Sequence, residues 1–267
     1  MTARAALALA AAVLACTAAG CGGSSADARR ELQQTLQRLG SIQSGDLTLR
    51  LIVTPSSGAR GRVGFAITGP FALRPRGLPL LDVRYTQTTG THQATARLVS
   101  DGNHAVAFVG GRRVALPAGA LRQLSAGGHG TGGIVAPLGI DSWLTNPSRS
   151  SGGMVGGAET DRISGKLEVV DAANGLMRML RQLGRAAPAI TDRSAEQLRK
   201  AVRSSSVDVW TGTRDRLLRR LRVEAQLAFD VPAELKRAFG EIVGADVEFE
   251  LGIANPNTPV HVTVPGA

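Results

Sequence analysis

Cysteine and aromatic residues are scarce in this chain. Cys16 and Cys21 are the only two cysteines, and Phe, Trp and Tyr together make up 3% of the 267 residues. Beyond residue 21 the sequence therefore cannot form an intramolecular disulfide or a cysteine-based metal site. With so few rings and 33 glycines, the core has to be built from Val, Leu, Ile and Ala between many turns.

Residue sets that carry catalysis or bind metal are also missing. The four histidines, His92, His104, His129 and His261, are scattered, and no His-Glu-x-x-His run or Gly-x-Ser-x-Gly elbow occurs. The glycine-rich segment 125–133 has no lysine followed by serine or threonine, so it is not a phosphate-binding loop. We predict a protein that is not an enzyme and holds no catalytic residue, metal or cofactor.

Positive charge exceeds negative charge by 10, and nearly all of it is arginine. Such an excess suits nucleic acid, an anionic membrane surface or an acidic glycolipid. The alternative is that the Arg-, Ala- and Gly-rich composition reflects a GC-rich genome.

The first 20 residues read as a signal peptide. Arg4 precedes an apolar run over residues 5–15, which is too short to span a bilayer, and small residues 18–20 come before Cys21. This arrangement resembles the bacterial lipobox, in which the cysteine is acylated and becomes the mature N-terminus. Export of the chain would exclude nucleic acid as a partner.

Cys21 is the predicted lipidation site because its flank, Gly22 to Ser25, is small and flexible. Cys16, preceded by Val13 to Ala15, is the alternative. The predicted organisation is a signal peptide over 1–20, a short tether over 21–27 and one domain over 28–267. The predicted location is the extracytoplasmic face of the cell membrane, with the protein held there by its lipid.

Apolar periodicity indicates an α+β fold. Period-two alternation predicts half-buried antiparallel strands, and steps of three and four predict helices. The strand patterns cover 47–53, 63–67, 81–85, 91–99, 104–109, 160–170, 207–211, 221–229, 247–253 and 260–264. The helix patterns cover 27–39, 117–124, 171–183, 192–202 and 232–239. Turn or loop chemistry is expected at Gly69–Pro70 and over 125–133 and 148–157, and the helices are grouped rather than alternating with strands.

Three segments carry a resemblance to a known family. They read GAETDRISGKLEV from Gly157, VDVWTGTRDRLLRRLRVEAQL from Val207, and DGNHAVAFVGGRRVALP from Asp101. Together with the helix near Asp27 and the Gly69–Pro70–Phe71 turn, they are similar to the LppX/LprA/LprF/LprG class of bacterial lipoproteins. That class resembles the lipoprotein carriers LolA and LolB.

The resemblance implies a strongly curved antiparallel half-barrel of roughly ten strands, with helices covering its concave apolar face. Acyl chains would enter the space between sheet and helices, where each buried methylene is worth about 0.8 kcal/mol. The predicted lining residues are Leu49, Leu51, Phe65, Ile67, Val83, Leu167, Leu176, Met179, Leu180, Leu183, Val223 and Leu227. For each of them the alternative is a place in an ordinary filled core.

The predicted function is that of an envelope lipoprotein that binds lipid or glycolipid acyl chains and carries or presents them between envelope layers. Its partners would be the membrane, through lipid on Cys21, the lipid cargo and an envelope transporter. The alternative is a structural or interaction lipoprotein with a filled core. Two charged sets, Asp246/Glu248/Glu250 and Arg219/Arg220/Arg222, are interpreted as solvated outer-face charges.

Overall fold

A computed structural model gives the fold of the chain. It describes residues 24–56, 61–127, 138–182, 187, 189–228 and 244–265. Within them, eleven strands form one antiparallel sheet with two free edges, one strand more than the roughly ten predicted. The strands are β1 Ser44–Pro55, β2 Val63–Ala72, β3 Leu80–Thr89, β4 His92–Asp101, β5 Ala105–Val109, β6 Arg112–Ala115, β7 Leu144–Val155, β8 Ala158–Leu167, β9 Val202–Gly212, β10 Leu218–Ala228 and β11 Gly244–Ala254.

Two meanders make up this sheet. Strands β1–β6 form an N-terminal meander and β7–β11 form a C-terminal meander, and β1 pairs with β11 to join them. Strands β6 and β7 are the free edges. The helices are α1 Ser25–Gln37, α2 Ala118–Gly127, α3 Val169–Gln182 and α4 Asp192–Ala201, with short 3-10 helices at Leu39–Ser41 and Ile140–Ser142.

Helix α1 begins earlier than the periodicity predicted. The Ser24 hydroxyl accepts a hydrogen bond from the Asp27 backbone N–H at 3.2 Å, which caps the first turn. Residues 25–27, assigned above to the tether, are therefore helical. Ala28 and Leu32 on one face of the helix are buried in the main core.

The segment 148–157 was predicted to be a loop, and that prediction is wrong. Its residues up to Val155 belong to β7, which pairs with β8 from Leu144↔Leu167 to Val155↔Ala158 with two register shifts. The strand could not be recognised from the sequence, because its serine and glycine residues give no alternation of apolar and polar side chains. Its regularity comes from ladder hydrogen bonds to β8, which side-chain patterns do not report.

The turn expected at Gly69–Pro70 is also wrong, because both residues lie inside β2. Gly69 has φ 138°, and a side chain there would meet the carbonyl oxygen of Asp82. Pro70 has no N–H to donate. The β2–β3 pairing is accordingly interrupted between Thr68↔Arg84 and Phe71↔Leu81.

The end of the chain packs on the sheet without joining it. A strand was predicted over 260–264, but residues 258–264 lie outside the strands. Val264 is buried against Val99 and Val106, which are directly opposite each other on β4 and β5. The helix predicted over 232–239 lies outside the described residues.

Candidate functional site

One face of the sheet carries an apolar row that crosses both meanders. Directly paired residues lie on the same face of an antiparallel sheet, so the strand register defines the row. From β5 to β8 it runs through Val109, Ala96, Tyr85, Ile67, Leu49, Leu251, Leu221, Val209 and Ile163. We call this side of the sheet the core face and the opposite side the outer face.

Burial changes along the row. Ile163, Leu221 and Leu49 are at most 1% exposed. Beyond β1 the residues on β2, β3 and β4 are only half-buried, and Val109 on β5 is 52% exposed. The core face is thus closed over the C-terminal meander and opens across the N-terminal meander.

A second row on the core face repeats this change. It runs from Phe65 and Leu51, which are half-buried, to Phe249, Val223 and Val207, which are buried. The Phe65 ring stacks on Tyr85 of the first row, with centroids 6.3 Å apart and an interplanar angle of 23°. Aromatic and aliphatic side chains therefore form a continuous half-buried surface over β1–β3.

Contacts from outside the sheet explain the closed part. The Trp143 ring meets Phe249 edge-on at 6.2 Å, and its indole N–H donates to the Leu138 carbonyl at 3.0 Å. The Thr35 hydroxyl of α1 donates to the Thr211 hydroxyl at 2.7 Å. Segments from α1 and from 138–143 thus pack on the core face of β9 and β11.

Helix α3 approaches the same segment closely. A side chain in place of Gly175 would collide with the Leu138 carbonyl and the Trp143 ring, so only glycine fits at this position. Met179, on the same helix, is 1% exposed and belongs to the main core.

Nine of the twelve predicted lining residues meet in or on one apolar cluster. Leu49, Leu167, Met179 and Val223 are buried members of it, and Leu51, Phe65, Ile67, Leu176 and Leu227 are partly buried against it. Val83 is 9% exposed and lies elsewhere on the core face, beside Leu98. Leu180 lies in α3, but its side chain is not among the described ones, and Leu183 lies outside the described residues.

Several open-face residues were missed by the sequence reading. Ala96, Leu98 and Val109 share the core face of β4 and β5 with Tyr85. The strand patterns over 91–99 and 104–109 located these strands. Their inward positions are mostly small, so nothing marked them as lining residues.

The closed row ends at a group of four charged side chains, two buried carboxylates and two partly exposed arginines, which we call the ion cluster: Glu31, Arg149, Asp161 and Arg216. Arg149 lies 2.9 Å from Glu31 through Nε and 2.8 Å from Asp161 through Nη2. Arg216 also binds both carboxylates, with 2.8 Å to Asp161. The cluster ties α1 to β7, β8 and the turn after β9.

The two carboxyl groups of the ion cluster have shifted pKa values. Burial, followed by the neighbouring Asp161, raises the pKa of Glu31 above its ordinary value. Burial opposes ionisation of Asp161 as well. Hydrogen bonds from Arg149 and Arg216 outweigh that effect and hold the pKa of Asp161 below its ordinary value.

The outer face carries a lattice of exposed ion pairs. Arg50 lies 2.7 Å from Glu248, Arg220 lies 3.3 Å from Glu250, and these residues line one shallow polar groove with Arg222. Asp246, Glu248 and Glu250 share this face, as predicted.

Trp210 adds an aromatic ring to the outer face. The guanidinium groups of Arg162 and Arg220 lie 5.3 Å and 5.6 Å from its ring centroid. Arg162 is also paired with Asp208 at 2.8 Å. Arg162 and Arg220 are therefore already engaged by a ring and by carboxylates of neighbouring strands.

Arg219 corrects the outer-face interpretation at one position. It lies in an irregularity of the β9–β10 pairing, between Leu218↔Thr211 and Arg220↔Trp210, and its side chain is only 5% exposed. It pairs with Asp215 at 2.5 Å. The extra residue turns this side chain away from the alternation that Arg220 and Arg222 keep.

Cys16 and Cys21, the two lipidation candidates, lie outside the described residues. Within the described ranges, no three His, Cys, Asp or Glu side chains are grouped so that they could hold a metal ion. No described helix has the length and apolarity required to cross a bilayer.

Comparisons with known proteins are weak. No family model and no curated protein sequence matches the chain. Among solved structures, LprF from Mycobacterium bovis is 16% identical with a TM-score of 0.42, covering 92% of this chain and 100% of that one. MucB, solved in complex with MucA(peri), is 11% identical with a TM-score of 0.27, covering 90% and 63%.

A third structure, the LolA superfamily protein NE2245 from Nitrosomonas europaea, is 9% identical with a TM-score of 0.21, covering 85% of this chain and 94% of that one. Likenesses of this size carry no argument about what the chain does.

Proposed function

We propose that the chain is a cell-envelope lipoprotein that binds lipid acyl chains on the open core face of its N-terminal meander. Lipid on Cys21 would hold it to the outer side of the cell membrane. In this proposal the sheet curves into a half-barrel, α1 and α3 lie over its concave side, and the bound lipid is carried or presented between envelope layers.

One observation carries the proposal: the apolar row continues from a closed core onto a half-buried surface. Ile67, Tyr85 and Ala96 extend the row without the cover that Leu221 and Val209 have. Acyl chains laid on this surface would gain about 0.8 kcal/mol for each methylene removed from water. The affinity of such a surface depends on how much of an acyl chain it buries, and therefore on chain length, rather than on specific polar contacts.

The polar groups of the open face support this choice of ligand. Gln87, directly opposite Phe65, is exposed at one end of the second row. The residues of the first row from β5 to β2 carry no ionisable group except the Tyr85 phenol. A face of this kind fits hydrocarbon and offers no set of groups to recognise a particular head group.

The proposal is tested by lipid binding to the purified chain. We expect native mass spectrometry to detect acyl species that solvent extraction removes, and the stripped chain to take up a fluorescent fatty acid. Ala96→Trp would fill the open face between Tyr85 and Val109. It should weaken uptake of the fatty acid at least about tenfold, because several methylenes of its acyl chain could no longer be buried there.

Thr95→Trp is the matched control, since Thr95 is exposed on the outer face opposite Thr86. This variant should bind like the original chain, and circular dichroism should show that both variants are folded. A chain without acyl species and without probe uptake would overturn the proposal. It would favour a structural or interaction lipoprotein whose core is filled.

A further inference from the structure

Charge is unevenly distributed between the two meanders. Residues 61–127 contain eight arginines and two acids, Asp82 and Asp101. The arginines are all exposed: Arg62, Arg74, Arg76, Arg84, Arg97, Arg112, Arg113 and Arg122. Residues 138–182, 189–228 and 244–265, in contrast, together contain 14 bases and 13 acids.

Both acids of the basic segment are engaged. Arg97 donates two hydrogen bonds to the Asp82 carboxylate in a bidentate ion pair, from Nε at 2.6 Å and from Nη2 at 2.7 Å. Asp101 accepts the backbone N–H groups of Asn103 and His104 at 2.9 and 2.7 Å. Both carboxylates therefore already have partners within the segment.

Cations and exposed valines lie toward one end of this meander. The Gly90 N–H donates to the Arg62 carbonyl at 2.8 Å, which fixes Arg62 and Val63 beside the β3–β4 turn. The β5–β6 turn, between Val109 and Arg112, points toward the same end because β5 runs antiparallel to β4, and it is set back from the β3–β4 turn, since Val109 lies opposite Ala96. We call this end the basic tip.

Exposed large apolar side chains concentrate in the same meander. Val63, Val109 and Val114 are 46%, 52% and 46% exposed, and Met154 is the other large apolar residue that the described ranges leave exposed. The turn sequences 87–95 and 109–113 contain no acid. The first acid beyond β1 at this end is Asp246, opposite Thr54.

We propose that the basic tip docks on an anionic lipid bilayer. Apolar side chains would enter the head-group layer while the arginines meet lipid phosphates, each strengthening binding about fivefold. Charge complementarity selects this occupant, because the exposed arginines of residues 61–127 outnumber the acids of that segment by six. Docking on the bilayer does not require a bound acyl chain. Transfer of lipid from the docked bilayer to the adjoining open face, in contrast, rests on the function proposed above.

Hydrogen exchange of the full chain in vesicles tests the docking. Vesicles of phosphatidylcholine alone are compared with vesicles that also contain phosphatidylglycerol, so any lipid anchor contributes equally to both. We expect amide exchange over 88–93 and 108–115 to slow about fivefold or more only with the anionic lipid. High salt should remove the effect.

Charge variants make the test specific. Arg62→Glu with Arg112→Glu should abolish the protection, and Arg62→Lys with Arg112→Lys should keep it. Arg193→Glu with Arg199→Glu on α4 changes the net charge by the same amount and should leave the protection unchanged. Equal exchange in both vesicle types, or protection that survives the first pair of substitutions, would overturn the proposal.

The docking and the proposed function fail separately. Fatty-acid uptake is measured without vesicles, so a chain that docks but takes up no probe keeps this inference and loses the function. A chain that binds the probe but shows no anionic-lipid protection keeps the function and loses the docking.

Discussion

The two meanders show the same alternation of apolar and polar side chains but bury it differently. Leu221 in the C-terminal meander is fully buried, whereas Ile67, three strands away in the same row, is half-buried. Trp143 and α1 pack on the core face of the C-terminal meander, whereas the N-terminal meander, in the part of the chain that the structure describes, lacks this cover and carries the excess of arginine. Alternation thus determines which side chains point inward, while long-range contacts determine whether they are covered.

Truncation of core-face residues should give the largest difference in unfolding free energy between the two meanders. We expect Leu221→Ala to lower the free energy of unfolding by about 4 kcal/mol, because it leaves a cavity in a closed core. Ile67→Ala should cost about 2 kcal/mol, because its side chain is only partly buried and truncation leaves a space open to solvent rather than a closed cavity. Urea unfolding measures both, and equal losses would show that the two meanders are packed alike.

Removal of one arginine should separate partly buried from exposed ion pairs. Arg149→Met leaves the buried Glu31 and Asp161 with a single cation, and we expect a loss of about 2 kcal/mol of unfolding free energy, less than for a fully buried pair because Arg149 itself is 36% exposed. Arg50→Met breaks the exposed pair with Glu248 and should cost less than about 1 kcal/mol. Chemical denaturation compares the two, and similar losses would contradict the structural importance given to the ion cluster.

A smaller effect is expected from pH. Because the pKa of Glu31 is raised in the folded chain, its contribution to stability is full below the ordinary glutamate pKa of about 4.3 and declines as pH rises through the raised value. The stability of the original chain relative to Glu31→Gln should therefore fall over that range. Unfolding experiments at several pH values measure this difference.

Glu196→Gln is the control of opposite sign. Lys200 lowers the pKa of Glu196, so the contribution of Glu196 is lost as pH falls rather than as it rises. A relative stability of the Glu31→Gln variant that does not change with pH would show that Glu31 is not perturbed by its surroundings.

Most of the sheet could be predicted from the sequence because its strands alternate clearly. The pattern around Leu49, Val83, Val223 and Phe249 located β1, β3, β10 and β11 with their inward faces. Strand β7 escaped prediction since its core-face residue Arg149 is charged and its neighbours are serine and glycine. A strand of this kind is recognisable only from its pairing partner.

The ion cluster could not be predicted from the sequence of any single strand or helix, because its members come from distant segments of the chain. Glu31 and Arg216 are 185 residues apart in the chain. A local signal was present, because Asp161 falls on the Ile163–Leu167 side of β8 and Glu31 falls between Ala28 and Thr35 on the buried side of α1. A charged residue on the inward face of a strand or helix predicts a buried partner of opposite charge, but it does not indicate which residue that partner is.

The difference between the open and closed core face was beyond the sequence for a similar reason. Ile67 and Leu221 both occupy inward positions of strands whose apolar residues alternate. Among the described residues, the contacts of Trp143 and Thr35 with β11 and β9 distinguish their surroundings. The set of predicted lining residues therefore mixed fully buried side chains with half-buried ones.

Photo-crosslinking with a diazirine fatty acid is the most direct test of the central claim, that acyl chains bind the open core face. After irradiation, peptide mass spectrometry locates the adducts along the chain. We predict adducts on Ile67, Tyr85 and Leu98, which face the open side, and none on Leu221. Adducts on outer-face residues such as Thr68 and Thr86, or the absence of any saturable adduct, would contradict it.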